Sequence, residues 1–418
     1  MKDIYVVLDI GSATIKLLVG ESLKSNIHIL FAKKIPSHGV KLGKIVDVNA
    51  VSRDIRNLLQ EAQHDLDTTI TSVALNVPSI HTKLYTGSGS VTLTKDIVES
   101  ENVIKALQLG SKISKSNKDE IISVIPVCYH TDRESSYEVP LNKKSKSLVV
   151  DSLVVTSPKS VLYPYLQAVE GAGVEVLEIG LNAYSCAKEA FDMAYLQEGA
   201  ILIDFGYKMT TISYFQDGYI SYLSTCNVGG YNFTKRIASE FQIAMNQAEA
   251  YKIKYGSLQA HVGQNDIIHT TVVDGKDIVY TQEDLTRILN EEAKEVMAVI
   301  HEKLAIIEQV HNKEIVLVGG GSELTLLDHV ASEILRAPVR IYRPDTIGAR
   351  DQAQVGALGM MYYLVERSKI LGKYKPSLVL PDVSSTMSLR FKGLTKTQTK
   401  NTGPIKLGKV LEQLFNED

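Results

Sequence analysis

The sequence predicts an α/β protein with two related domains built from duplicated β-β-β-α units. The chain has 418 residues, more than a single hydrophobic core usually organises. An apolar strand that ends in Asp-x-Gly, followed by hydroxyl residues and an alternating strand, occurs at Asp9 and again at Asp204. Because both copies continue into a third strand and then a helix, we expect two similar domains.

The elements follow from hydrophobic periodicity. Strands are expected over 4–8, 15–19 and 27–34, and an amphipathic helix is expected where Val51, Ile55, Leu58 and Ala62 share one face. Residues 85–158 alternate strand and helix patterns in a different order, which indicates a small inserted module. A long helix is expected from residue 282 to about residue 310, and a strand, three glycines and a helix follow it.

Composition excludes several classes of protein. Hydrophobic residues make up 44% and charged residues 22%, and the net charge of −3 gives no general attraction to nucleic acid. Three cysteines without CxxC spacing argue against a zinc site or a disulfide framework and favour a reducing cytoplasm. We expect no signal peptide and no spanning helix, so that any membrane contact is peripheral.

The two Asp-x-Gly turns are candidate phosphate-binding sites. Asp9 and Asp204 end apolar strands, where an unpaired carboxylate is costly, and both are expected to hold a hydrated Mg²⁺. Gly11 and Gly206 allow the backbone to approach a phosphate closely. The donors would be backbone N–H groups and the hydroxyls of Ser12, Thr14 and Thr210. For one copy an ordinary turn would be the better interpretation, but two copies in the same context favour a phosphate site.

Two further glycine turns come directly before predicted helices. Gly319, Gly320, Gly321 and Ser322 follow a β-branched strand and would let a purine pack closely against the helix N-terminus. Gly229 and Gly230 are in a similar position. The alternative interpretation of both is a tight strand-to-helix connection.

Taken in order, these motifs resemble the actin/Hsp70/sugar-kinase ATPase superfamily. The first phosphate loop would span 9–16, with Ala13 and Lys16, the second 204–211, and the adenosine loop 319–322. Within the superfamily, "IISVIPVCYHTD", "AVEGAGVEV", "NVGGYNFTKRIA", "AEAYKIKYG" and "APVRIYRP" resemble the FtsA family of bacterial cell-division proteins over roughly residues 3–365. The resemblance implies an actin-like two-domain ATPase fold with an FtsA-type inserted subdomain, ATP and Mg²⁺ as ligands, and adenine contacts by Glu249 and Lys252. The alternative for these two residues is a solvated helix face.

The same resemblance implies the following domain boundaries. The first actin-like domain (1A) would comprise 1–84, 159–199 and 345–385, the inserted subdomain (1C) 85–158, the second actin-like domain (2A) 200–235 and 311–344, subdomain 2B 236–310, a flexible linker 386–403, and a C-terminal helix 404–418.

The second phosphate loop departs from the superfamily pattern Asp-x-Gly-Gly-Gly-Thr-x-Asp. Tyr207 and Lys208 replace two glycines, and the second acid is absent. Lys208 could supply positive charge to a phosphate. We therefore expect ATP binding with weak or absent hydrolysis, and no residue is identified as a catalytic base.

The C-terminus contains a short amphipathic pattern after a basic segment. Its apolar positions recur at helical spacing, and they are Leu407, Val410, Leu411, Leu414 and Phe415. One interpretation is a helix that lies in the interface of an anionic membrane, and the other is a terminal helix docked on the protein. One such helix binds weakly, so anchoring would depend on a polymer that presents many copies.

The favoured function is therefore an actin-like cytoskeletal adaptor of cell division. By resemblance it would polymerise on the cytoplasmic face of the cell membrane at the division site, tether the tubulin-like protein FtsZ and contact other divisome proteins, with no nucleic-acid partner. Arg287, Glu291 and Glu292 are candidate FtsZ contacts, although the family's Pro-Arg pair is absent there. The alternatives are a pilus-assembly-type actin-like ATPase and a small-molecule kinase of the same superfamily.

Overall fold

A computed structural model describes residues 3–23, 26–259, 266–273, 276–308, 310–371 and 378–379. The chain forms two compact units. Unit 1 comprises 1–188, 346–349 and 356–418, and unit 2 comprises 189–345 and 350–355. The predicted linker (386–403) and C-terminal helix (404–418), with its five apolar residues, lie outside the described residues.

The main sheet of unit 1 has five strands. In sheet order they are β12 (Glu175–Leu181), β7 (Ser72–Val77), β1 (Asp3–Ile10), β2 (Thr14–Leu23) and β3 (Asn26–Pro36). Strands β1, β2 and β3 form an antiparallel meander, whereas β7 runs parallel to both β1 and β12. The helices wholly or mostly in this unit, apart from one in the inserted module, are α1 (Val48–Asp65), α3 (Lys159–Gly171), α4 (Asn182–Ala190) and α10 (Val355–Leu371). Two short ladders pair β4 (Val40–Lys41) with β5 (Lys44–Ile45) and β6 (Thr69–Ile70) with β20 (Leu378–Val379).

Helix α1 begins where the sequence supplies a cap. The Asp47 side chain accepts a hydrogen bond from Ala50 N at 3.0 Å, which satisfies one of the unpaired N–H groups of the first turn. Val51, Ile55 and Leu58 are fully buried on one face. The predicted amphipathic helix is thus confirmed.

Helix α10 packs on the main sheet at positions where the strands have glycine. A Cβ added to Gly20 would lie 2.9 Å from Met361 Sδ, and Gly180 lies against Met360 in the same way. The Asn76 side chain on β7 donates to the Gly356 carbonyl at 2.7 Å, which fixes the first turn of α10. The glycines therefore make room for two methionines that fill the sheet–helix layer.

The inserted segment forms its own layer within unit 1. Its sheet order is β10 (Ser135–Ser136), β9 (Asp119–Thr131), β11 (Ser147–Pro158) and β8 (Lys83–Thr92), all antiparallel, and α2 (Ser100–Gly110) packs on one face. Its core includes Val103, Leu107 and Val150, together with Ile370 from α10. Helix α10 thus contributes to the core of the inserted module.

Unit 2 repeats the meander of unit 1. Its sheet order is β15 (Tyr219–Cys226), β14 (Thr210–Gln216), β13 (Ala200–Phe205), β18 (Ile315–Val318) and β19 (Val339–Ile341), with β18 parallel to both β13 and β19. A hairpin pairs β16 (Ile267–Val273) with β17 (Lys276–Thr281). The helices are α5 (Met193–Glu198), α6 (Gly230–Phe241), α7 (Met245–Tyr255), α8 (Gln282–Leu304) and α9 (Leu327–Leu335).

The predicted duplicated β-β-β-α units are present, with two differences. In unit 1 the small β4–β5 hairpin separates the meander from α1, whereas in unit 2 helix α6 begins four residues after β15 ends. Helix α8 ends at Leu304, earlier than the expected residue 310, and a single turn of 3-10 helix follows at Val310–Asn312. No helix in the described part of the chain is long and apolar enough to cross a membrane.

Candidate functional site

The turn of unit 1 lies between β1 and β2. Gly11 N donates to Thr14 O at 3.0 Å, which closes a four-residue turn. Ser12 Oγ accepts from Gly43 N at 3.2 Å, and the Ala13 carbonyl accepts from Ser37 N at 2.9 Å. These bonds fix the conformation of the predicted loop and connect it to the β4–β5 hairpin.

Asp9 is directly opposite Lys16 in the β1–β2 ladder. Lys16 Nζ lies 2.9 Å from Asp9 Oδ2, and only 12% and 13% of the two side chains are exposed. A shielded ion pair of this kind fixes the positions of the carboxylate and the ammonium at the edge of the loop. Here the carboxylate could hold a hydrated cation and the ammonium a phosphate.

The turn of unit 2 has the same register. Gly206 N donates to Met209 O at 3.2 Å, and Asp204 is opposite Thr211 in the β13–β14 ladder. Thr210 Oγ1 donates to Val228 O at 2.8 Å and is fully buried. The Thr210 hydroxyl therefore stabilises the loop, and in this conformation it is not directed at a ligand.

Three glycine turns converge in unit 2. Gly230 N donates to Gly206 O at 3.0 Å, and a Cβ on Gly321 would lie 2.6 Å from Phe205 O. Gly319 has a φ of +90°, and a Cβ there would overlap Asp204 Oδ1. The loops at 204–210, 229–230 and 319–321 are thus in backbone contact, which side chains at these glycines would prevent.

Helices α6 and α7 place a polar cluster beside Gly230. Lys252 Nζ donates to Gly230 O and Thr234 Oγ1, both at 3.0 Å, and to Glu249 Oε2 at 2.8 Å. The pKa of Lys252 lies below its ordinary value because burial outweighs the attraction of Glu249. Glu249 and Lys252 are therefore not a solvated face. Thr234, which the sequence analysis missed, completes the cluster from the first turn of α6, four residues after Gly230.

The sequence predicted that a helix follows the third glycine turn directly, and the structure differs. Residues Gly320–Glu323 form a 3-10 turn, and α9 begins only at Leu327, because the Thr325 carbonyl accepts a bond from Leu258 N and Leu326 has a positive φ of 64°. Ser322 is fully buried, and its Oγ lies 2.7 Å from Gly319 O and 2.6 Å from Gln352 Oε1. The Ser322 side chain therefore stabilises the turn. Gly320 and Gly321, which have no side chains, present only backbone atoms there.

The candidate partner residues lie on α8, but they are not equivalent. Arg287 is exposed and lies 3.2 Å from Glu291, which also pairs with Arg236 at 3.3 Å. Glu292 is only 7% exposed, and burial raises the pKa of its carboxyl. Arg287 and Glu291 are therefore available at the surface, whereas Glu292 packs into unit 2.

The residues present fit a nucleotide with a weakly ligated magnesium ion. No group of three or more His, Cys, Asp or Glu side chains in the described ranges could hold a metal ion. Mg²⁺ in nucleotide sites keeps most of its waters and takes few protein carboxylates, so single acids such as Asp9 and Asp204 suit it. Asp9 and Lys16 belong to unit 1, and the Glu249–Lys252 cluster and the converging glycine turns belong to unit 2.

Two family models match this chain. The model described as "Type IV pilus assembly protein PilM" matches residues 7–265, more than half of the chain, and that described as "Cell division protein FtsA" matches residues 201–359. The Cell division protein FtsA of Bacillus subtilis (strain 168) is 25% identical over 99% of both chains. The chain belongs to the family of the PilM model and is similar to FtsA. The resemblance to FtsA stated from the sequence motifs is thus confirmed.

Solved structures show that the family's fold is actin-like. The PilM-PilN type IV pilus biogenesis complex matches with a TM-score of 0.56 at 17% identity, over 87% of this chain and 98% of that one. MreB5 of Spiroplasma citri bound to ADP matches with a TM-score of 0.55 at 15% identity, over 88% and 99%. The predicted actin-like α/β fold is therefore confirmed.

Proposed function

We propose that this chain is an actin-like cell-division protein that binds ATP with Mg²⁺ and polymerises at the membrane. The relatives named for cell division that match nearly the whole chain support the division role. The observation that carries the nucleotide role is the pair of hairpin turns with equal register, each beginning at an acid followed by a glycine. The assignment of residues 85–158 as the FtsA-type subdomain 1C, and of the other boundaries given above, belongs to the same proposal.

Each unit contains its own candidate nucleotide-binding residues. In unit 1, Lys16 and the N–H groups of the 11–14 turn would bind phosphate oxygens, and Asp9 would hold Mg²⁺ through water. In unit 2, Asp204 would act on the metal in the same way, and Lys252 and Glu249 would bind the nucleoside hydroxyls. Bound Mg²⁺ neutralises phosphate charge. With Tyr207 and Lys208 in the second loop in place of two glycines, and without the second acid of the superfamily pattern, we propose weak or absent hydrolysis.

Calorimetric titration with ATP in the presence and absence of Mg²⁺ tests this part directly. Metal-dependent binding in the micromolar range is expected, by analogy with typical cofactor affinities. Absence of any ATP binding at millimolar concentration would refute the nucleotide role while leaving the fold assignment untouched.

The membrane role rests on the sequence of the tail alone. We propose that Leu407, Val410, Leu411, Leu414 and Phe415 insert into an anionic membrane surface, and that a polymer presents many such helices together. Flotation with vesicles containing anionic lipid should recover the full chain and lose a chain truncated after Asn401. Equal flotation of both would show that the tail is not the anchor.

FtsZ tethering is the most specific part of the proposal. Arg287 and Glu291 are the candidate contacts that remain on the surface of α8. Co-sedimentation with FtsZ polymers should require the Arg287 and Glu291 side chains, and an Arg287→Ala, Glu291→Ala double variant should lose it. Arg133 and Glu101, which are exposed in the inserted module and its helix, give a matched control pair.

A second candidate, a pilus-assembly role, is favoured by one observation. The PilM model covers residues 7–265, which includes the whole inserted module. If purified FtsZ is not co-sedimented while a pilus-assembly protein of the PilN type binds the chain, the pilus-assembly role replaces the division role.

A further inference from the structure

The Tyr207 side chain extends from the second turn into the Glu249–Lys252 cluster. Lys252 Nζ lies 5.5 Å from the centre of its ring. A Cβ added to Gly230 would be 3.7 Å from Tyr207 Cδ2. The ring therefore fills the space beside the polar groups proposed above to bind a nucleoside.

Several contacts hold the ring in this position. Its edge meets the Tyr231 ring at 5.6 Å between centroids and 78° between planes, and Lys208 Nζ lies 5.0 Å over Tyr231. The backbone of Tyr207 is fixed as well, because its carbonyl accepts from Tyr231 N at 2.7 Å. Burial is the largest cause that raises the pKa of Tyr207 to about 12, with the charge of Glu249 next, so the ring is a neutral phenol in a poorly hydrated place.

The polar cluster is satisfied by protein groups while the ring is there. An ammonium has three N–H donors, and those of Lys252 are directed at Gly230 O, Thr234 Oγ1 and Glu249 Oε2. The Tyr207 ring lies beside Lys252 and Gly230, so nucleoside hydroxyls that reach the cluster from this side would take the place of the ring. Since the backbone is fixed on both sides, the available movement is rotation of the tyrosine side chain.

We propose that Tyr207 is a gate residue of this site, and that its ring occupies the nucleoside position in the free protein and rotates away when a nucleotide binds. The inference rests on the nucleotide role proposed above and adds a level of control to it. The measured dissociation constant then equals the intrinsic one divided by the fraction of molecules with the ring open. An open fraction of about one tenth weakens nucleotide affinity about tenfold.

Titration of three probes separates a nucleoside gate from a general effect on the loop. For a Tyr207→Gly variant we expect Mg·ATP and adenosine to bind about tenfold more tightly than they bind the wild-type chain, with tripolyphosphate affinity unchanged. Tyr207→Phe keeps the ring but removes its hydroxyl, and it should show a smaller gain for ATP and adenosine. The control is Tyr137→Gly, which removes an exposed tyrosine of the inserted module and should leave all three affinities unchanged.

A second measurement does not depend on how well the glycine variant folds. The chain contains no tryptophan, so Tyr207→Trp introduces a single reporter at the gate. Addition of Mg·ATP should shift its emission to longer wavelength and increase quenching by acrylamide, because the ring moves into water. The same reporter in a Tyr137→Trp variant should not respond.

The outcomes distinguish the gate from the nucleotide role. Equal or weaker ATP affinity in Tyr207→Gly overturns the gate and leaves nucleotide binding in place. An indole emission of the Tyr207→Trp variant that saturating ATP does not change has the same consequence. If neither the wild-type chain nor any variant binds ATP or adenosine, the nucleotide role is refuted, and the gate is refuted with it.

Discussion

The turn of unit 1 is held by an ion pair, whereas the turn of unit 2 is held by backbone packed on backbone. Both have the same Gly N–H bond to the carbonyl three residues on, 3.0 Å at Gly11 and 3.2 Å at Gly206. The residue opposite the acid is Lys16 in one and Thr211 in the other. A duplicated hairpin can therefore keep its register while the groups that stabilise its two copies diverge. The tolerance of each turn to substitution then diverges as well.

The difference matters because a turn held by charge and a turn held by close packing are sensitive to different substitutions. In unit 1 a lysine, Lys16, is opposite the acid of the turn and pairs with it. In unit 2 the residue opposite the acid is neutral, the buried Lys252 lies on helix α7, and the loop contributes close backbone approach and the Tyr207 ring. Removal of a charge should be most harmful in the first turn, and addition of volume should be most harmful in the second.

The largest expected effect follows from loss of the acid in unit 1. Asp9→Ala removes a metal carboxylate and also leaves the shielded Lys16 without the partner 2.9 Å away. We expect about a 100-fold loss of Mg-dependent ATP affinity, since two charge-assisted contacts are affected. Asp204→Ala should cost about tenfold, because its cross-strand partner is a neutral threonine. Titration calorimetry of both variants with and without Mg²⁺ compares the two turns, and equal losses would contradict the difference between them.

Substitution of the first glycine of each turn by alanine tests how much each turn depends on close packing. In Gly206→Ala the new Cβ would lie 2.6 Å from the Met209 carbonyl, a backbone atom that can move only if the turn moves. In Gly11→Ala the nearest atoms are Thr14 O at 3.0 Å and the end of the flexible Lys16 side chain at 3.1 Å. We expect losses in the free energy of unfolding of about 2 kcal/mol and less than about 1 kcal/mol, respectively. Urea unfolding followed by circular dichroism measures both, and the reverse order would mean that backbone packing does not hold the second turn.

The sequence was sufficient to predict both hairpins, because alternation and the Asp-x-Gly pattern are local signals. It was not sufficient to predict that Tyr207 lies against Lys252, which depends on how α7 packs on α6, far along the chain. The burial of Glu292 was missed for a similar reason, since its position on α8 gave no sign that the helix is covered on that side. The late start of α9 depends on a long-range backbone bond, which Leu258 N donates to the Thr325 carbonyl.

The pH dependence of ATP binding should show whether Lys252, the buried lysine of the second unit, contributes to binding. Burial lowers the pKa of Lys252, so the ammonium loses its proton at a lower pH than an exposed lysine would. If Lys252 binds the nucleotide as proposed, deprotonation removes that charge, and ATP affinity should fall several-fold as the pH rises toward the ordinary lysine range. Lys252→Arg keeps the charge throughout that range and should bind ATP with little dependence on pH. A wild-type profile as flat as that of the arginine variant would exclude Lys252 as a ligand-binding cation.

The hydroxyls of the two turns test the same difference through single hydrogen bonds. Thr210→Val keeps the shape of a fully buried side chain but leaves the Val228 carbonyl without the donor 2.8 Å away, and it should cost about 1 to 1.5 kcal/mol of unfolding free energy. Ser12→Ala removes an acceptor from Gly43 N at 3.2 Å in a partly exposed loop, where water can replace it, so the cost should be about 0.5 kcal/mol. If Ser12 also binds a phosphate, its variant should lose more ATP affinity than stability. Thr210→Val should show the opposite ratio, because its hydroxyl is committed to the backbone of its own unit.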